Sequence, residues 1–144
     1  MTNEILLKIR GLQMADQDSD TIETICPGTY SFKNGKHYIL YDEVMEGFEE
    51  VTKNVIKLQP GYMELTKKGV TNVHMVFDQG KKNQTYYYTP FGSLLIGIDA
   101  KNVTVTQEES TLTANVEYAL ELNNEFVADC HIFLEASSGK KVEL

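Results

Sequence analysis

Along TLTANVEYALEL, Thr111 to Leu122, apolar Leu112, Ala114, Val116, Tyr118, Leu120 and Leu122 occupy every second position, while Thr113, Asn115, Glu117 and Glu121 fall between them. Strict alternation puts one set of side chains on each face, the mark of a half-buried antiparallel strand. Asn123-Asn124 then supplies a two-residue turn able to adopt positive φ. Alternation resumes through Phe126, Ala128, Cys130, Ile132 and Leu134, so Thr111 to Ala136 reads as a hairpin. Its predicted core face carries Leu112, Val116, Tyr118, Leu120, Ile132 and Leu134.

Shorter runs of the same kind precede it. Ile5, Leu7 and Ile9 alternate ahead of a polar loop, DQDSD. Thr21 to Phe32 meets the turn Asn34-Gly35, which leads into His37 to Val44. Tyr62 to Lys67 stops at Gly69, and Val73, Met75 and Phe77 alternate before Gln79-Gly80. Thr85 to Thr89, Leu94 to Ile98 and Val103 to Thr106 complete the series. Short β-rich runs separated by turns about every ten residues predict a meander that closes as a sandwich or a barrel.

One stretch is ambiguous. Val44, Phe48, Val51, Val55 and Leu58 have the spacing of an amphipathic helix. Gly47 inside the pattern, the like charges Glu46 and Glu50, and the β-branched group Val51, Thr52, Val55 and Ile56 oppose it. The expectation there is a strand. The row Tyr86-Tyr87-Tyr88 is simpler: neighbours on a strand point to opposite faces, so three consecutive rings cannot make one platform. Tyr87 shares a face with Thr89, and Tyr86 with Tyr88; Pro90 and Gly92 end the strand.

With 144 residues, 42% of them hydrophobic, the chain reads as a single domain, 1–144, with enough apolar material for one core. MTNEILLKIR carries Glu4 and Lys8 within a short apolar run, unlike a signal peptide, and no run approaches the roughly 18 apolar residues of a spanning helix. The expected location is the cytoplasm, with Cys26 and Cys130 as free thiols and no glycosylation at Asn83 or Asn102. A net charge of −8 with scattered Lys and Arg argues against a nucleic-acid surface. Neither nucleic acid nor membrane is expected as a partner.

Sites for chemistry are scarce. Asp16 to Asp20 imitates the opening of a calcium loop, but Thr21 stands where the sharp turn needs Gly and Pro27 where the loop needs Glu. His37, His74 and His131 lie far apart, and Cys130 points away from His131 on the same strand. His131 reads instead as the partner of Asp129, two residues away. No nucleophile elbow, phosphate loop or paired-cysteine motif occurs, so an enzymatic reading has no carrier and no cofactor is expected.

Tyr87-Tyr88-Thr89-Pro90-Phe91-Gly92, preceded by Met75-Val76-Phe77, resembles the Y-x-T-P-aromatic-G signature of the uncharacterised YwiB-like family of Firmicutes. Tyr38 to Glu43, Lys67-Lys68-Gly69 and Tyr118-Ala119-Leu120 fit the same pattern in order, so the likeness spans nearly the whole chain. It departs at Lys67, where the pattern leads one to expect Arg, a bidentate fork rather than a point donor. The resemblance implies an antiparallel up-and-down barrel of roughly eight to ten strands, similar to the calycins and lipocalins. It implies no activity.

The residues themselves offer one oddity. Lys67 shares a strand face with Met63 and Leu65, and Glu43 with Ile39 and Tyr41, so both charges point where their neighbours point inward. Such charges are tolerated when paired and hydrogen-bonded, or when they snorkel to water at a strand end. Tyr41, Glu43, Lys67, Tyr87, Thr89 and Tyr118 are therefore the candidate ligand-binding residues of a barrel interior. Three readings follow: a small, partly apolar ligand inside the barrel; a side-chain-filled barrel that meets a protein partner or a second copy of itself as a homodimer; or an enzyme using Glu43 or Lys67.

Overall fold

A computed structural model describes residues 3–11 and 23–138. The described residues form strands only: β1 Glu4–Arg10, β2 Glu23–Lys33, β3 Lys36–Val44, β4 Val51–Gln59, β5 Tyr62–Lys68, β6 Val73–Asp78, β7 Lys82–Thr89, β8 Gly92–Gln107, β9 Thr111–Leu122 and β10 Glu125–Ser138. The calcium-loop imitation lies outside the described residues. Every ladder is antiparallel, and the sheet runs β6-β5-β4-β3-β2-β1-β10-β9-β8-β7. Each strand thus neighbours its sequence neighbours, and β1 pairs with β10, which makes an up-and-down barrel. Between β6 and β7 the closure is partial. Asn72 and Tyr88 exchange two backbone hydrogen bonds of 2.9 Å, and the turn at Gly80–Lys81 bonds to Ala100.

The turns form where the sequence predicts them. Asn34 and Gly35 have φ of 53° and 78°, and Asn123 and Asn124 have 52° and 69°. Such angles suit two-residue hairpins because their twist matches that of the strands. The ambiguous stretch is extended: β3 ends at Val44 and β4 begins at Val51, with turns and irregular chain between. Each of the six core residues predicted on the terminal hairpin is at most 5% exposed. Phe126 is the exception to the alternation, being exposed, because β10 bulges between Phe126 and Ala128 and the extra residue turns Phe126 outward opposite Glu121.

The inside is packed. Phe77, Leu7, Ile39, Ile56, Leu58, Leu65 and Met75 are among the largest fully buried side chains, and Phe77 meets Tyr118 edge-on with ring centroids 5.0 Å apart. At one place the wall parts. β2 pairs with β1 from Glu23 to Thr29, but with β3 only from Thr29 to Lys33. Pairs closed by a two-residue turn exchange hydrogen bonds at every second rung, which would set Pro27 in a bonded position opposite Asp42. Proline has no N–H to give, so the ladder ends there and β2 leaves β3.

Candidate functional site

The register next to this parting explains the inward charges. Tyr41 pairs with Asn54 across β3 and β4, Asn54 with Lys67 across β4 and β5, and Glu43 with Thr52. Directly opposed residues on one face lie within side-chain reach of each other, so these five polar residues meet at one end of the barrel. Lys67 Nζ donates to Glu43 Oε1 and to Asn54 Oδ1, each at 2.9 Å. Asn54 Nδ2 in turn donates to Glu43 Oε1 at 3.3 Å and to the Thr52 carbonyl at 3.4 Å.

The pair is unevenly buried. The Lys67 side chain is 10% exposed and that of Glu43 37%. Lys67 therefore depends on protein acceptors, while Glu43 is partly hydrated. Both donors converge on Oε1, and no described residue bonds Glu43 Oε2. That leaves an anionic acceptor open to incoming donors.

The surrounding groups feel this charge. Burial pushes the Tyr41 hydroxyl well above its ordinary range, helped by Glu43 and then Cys26. Burial raises Cys26 as well, with Glu43 adding to it. Its thiol is held protonated and makes a poor nucleophile. Tyr87 is raised by burial and by Glu43, against an opposing hydrogen bond with Thr71. Thr71 reaches that position because Gly69, at φ +152°, lets the β5–β6 turn fold down onto β4. A Cβ on Gly69 would lie 2.6 Å from Thr52 Cα. The Thr52 hydroxyl also accepts a bond from the Val70 N–H at 3.0 Å.

Four of the six predicted residues, Tyr41, Glu43, Lys67 and Tyr87, are thus brought to one end. Two are not. Thr89 closes its own turn: its hydroxyl donates to the Gly92 carbonyl at 2.8 Å and accepts from the Phe91 N–H at 3.1 Å. Tyr118 packs in the core against Phe77, its hydroxyl raised by burial and by Cys130. Sequence reasoning missed Thr52, Asn54, Thr71 and Cys26. The signal for Thr52 and Asn54 was present, since both alternate with Ile56 and Leu58, but the helical spacing of the same stretch obscured it.

Beside the cluster the wall is open. A depression of about 820 Å³ sits where the β2–β3 ladder has ended, lined among others by Ile5, Leu6, Pro27, Leu40, Tyr41 and Asn54. Leu6, Pro27 and Leu40 belong to the outer face of the sheet; Ile5, Tyr41 and Asn54 belong to the inner one. Ile5, Tyr41 and Asn54 are each at most 7% exposed, so the depression lies on the outer face of β1 to β4, over the wall that backs the polar cluster. The predicted site was the barrel interior. The core is packed there, and the depression lies at this lateral position instead.

Other polar pairs lie elsewhere. At the turn end of β2 and β3, the Tyr30 hydroxyl and His37 Nδ1 are 2.8 Å apart, and burial lowers the His37 pKa. On the outer face, burial would raise the Glu64 carboxyl, but Lys57, 3.0 Å away, and His74 outweigh it and hold it below the usual range. His131 pairs with Asn115 Oδ1 at 3.0 Å across the hairpin rather than with Asp129. Among the described residues no group of His, Cys, Asp or Glu is placed to hold a metal. Among the described residues no helix is long and apolar enough to cross a membrane.

Fold and site together define an all-β up-and-down barrel with one polar end and a parted wall. A family model described as a domain of unknown function (DUF1934) matches residues 7–134, and the chain belongs to that family. Its fold is similar to the crystal structure of the ywiB protein from Bacillus subtilis, with a TM-score of 0.78 and 20% identity over 95% of this chain and 92% of that one. No curated protein matches the chain.

Proposed function

We propose that this barrel is a binding protein that takes a small, partly apolar ligand at the opening between β2 and β3. The observation that carries this reading is the depression itself, whose apolar residues Leu6, Pro27 and Leu40 lie on the outer side of the wall that backs a hydrogen-bonded polar cluster. Its volume falls in the range of small-molecule sites, about 300–1,000 Å³, and such sites combine apolar walls with a few fixed polar groups. The apolar part of the ligand rests on Leu6, Pro27 and Leu40. Its polar part meets the Glu43 carboxylate, which stays partly exposed beyond the end of the β2–β3 ladder. Lys67 holds Glu43 in place. Burial and Glu43 raise the Cys26 thiol, which favours binding over nucleophilic chemistry.

Native mass spectrometry of protein isolated from its own cells tests this. A bound mass is expected, and Leu40→Asp on the rim is expected to lose it while the melting temperature stays within a few degrees. Ligand-free protein under those conditions, or a mass that Leu40→Asp retains, overturns the reading. The cytoplasmic location forms part of the same proposal: two thiols titratable after denaturation of an unreduced sample support it, and none contradicts it.

A second reading, a protein-interaction module or homodimer, is favoured by the outer face of β7 and its turn. Tyr86 and Tyr88 are each about half exposed, and Phe91 is 90% exposed. Sedimentation of the wild type against Phe91→Ser distinguishes it, since only an interface there makes the oligomeric state depend on Phe91.

A further inference from the structure

We propose that the ligand of this opening is a short extended peptide with a basic side chain, added as a strand to the free edge of β3. This rests on the preceding reading of the opening as a binding site, and it names the ligand's class. Tyr41 to Val44 pair with β4 on one side, but the ladder to β2 has stopped at Leu40. By the alternation of bonded rungs, the backbone N–H and C=O of Asp42 and Val44 point into the gap. Unpaired groups of this kind are a template for another strand. The facing edge of β2 is a poor second template, because Pro27 contributes a carbonyl and no donor.

The side chains flanking the gap fit the same occupant. Had the β2–β3 ladder continued in register, Ile25 would stand opposite Val44. Instead they are 56% and 70% exposed, two large apolar groups on the outer face at either side of the parting. An inserted strand places its outward residues between them. Its inward residues alternate with these and point toward Tyr41 and Glu43. There the unbonded Oε2 of Glu43 asks for a donor, and the Lys67 ammonium already bonds Oε1 and Asn54. A Lys or Arg on the ligand supplies a charge-assisted bond to Oε2. The chain's net charge of −8 favours the same sign of ligand.

The probe is a mixture of blocked pentapeptides, Ac-Xaa-Val-Lys-Val-Xaa-NH2, with Xaa any residue except Pro, titrated against the whole chain. Saturable binding is expected, with slower hydrogen exchange at the Asp42 and Val44 amides. Replacing the central Lys by Glu, N-methylating alternate peptide nitrogens, or making Glu43→Gln in the protein is each expected to weaken binding by about tenfold or more, the loss of one strong hydrogen bond. Pro27→Val, which restores the missing donor opposite Asp42, is expected to compete with the peptide and weaken it as well. Binding that ignores N-methylation, or that leaves the Asp42 and Val44 amides unprotected, overturns strand addition. If protein from its own cells carries a non-peptide molecule that Leu40→Asp releases, the opening stands as a site and the peptide class fails. If neither that molecule nor any pentapeptide binds, both fail.

Discussion

The wall built from β8, β9 and β10 and the wall built from β2, β3 and β4 use the same alternation to different ends. In the first, the ladders run almost the full length of the strands, and a bulge in each merely shifts the register by a residue. Everything inward on β9 is apolar: Leu112, Ala114, Val116, Tyr118 and Leu120. In the second, one proline stops a ladder midway, and the inward row changes from Ile39, Ile56 and Leu58 to Tyr41, Glu43, Thr52 and Asn54. The first wall is held by packing, whereas the second gives up packing and pairing together in one place. Inward polar groups then cost less than they would in the first wall, because water reaches Glu43.

The comparison breaks most readily at the packed wall. Leu120→Ala is expected to cost about 2–5 kcal/mol, the lost transfer energy plus a cavity that a continuous ladder cannot close. Urea melts check it, and a loss below about 1 kcal/mol would mean that this wall relaxes as the open one does.

Next comes the polar end. Lys67→Met removes the donor from the Asn54 carbonyl group and from Glu43, and is expected to cost about 1–3 kcal/mol for the buried acceptor left unmet. Glu43 loses less because it is partly hydrated. Adding Glu43→Gln is expected to recover part of the loss, and a double-mutant cycle measures the coupling. Strict additivity would show that the pair contributes nothing beyond its separate contacts.

Smaller again is a pH effect at the opposite end of β2 and β3. Burial lowers the folded pKa of His37, so neutral His37 is favoured by folding. The stability this contributes is present above the unfolded value of about 6.5 and is lost as pH falls through the lower folded value. Denaturation across that window is expected to show a decline that His37→Gln removes. Last, Glu121→Ala on the outer face of the packed wall breaks a 2.8 Å ion pair with Lys82, for which less than about 1 kcal/mol is expected.

The strands, the turns and the core of the terminal hairpin were legible because each depends on near neighbours. Period-two alternation assigns faces, and Asn34-Gly35 and Asn123-Asn124 have the φ freedom that their turns need. The same alternation placed Lys67 and Glu43 inward. Their meeting was a weaker inference, drawn from the cost of an unpaired charge rather than from any contact. Thr89 and Tyr118 share the alternation but stand elsewhere around the barrel. Thr71 and Cys26 were beyond its reach, since each joins the cluster through a turn geometry or a register that no local pattern specifies, whereas Asn54 alternates with Ile56 and Leu58 and was hidden only by the helical spacing of its stretch.

By itself, then, the sequence determined which residues extend, where the chain reverses and which side chains face in, because these follow from backbone sterics and period. Only the tertiary structure decided which inward groups become neighbours. It also decided that Pro27 falls on a rung where its missing N–H parts the wall, since that depends on how strands far apart in sequence align across the barrel.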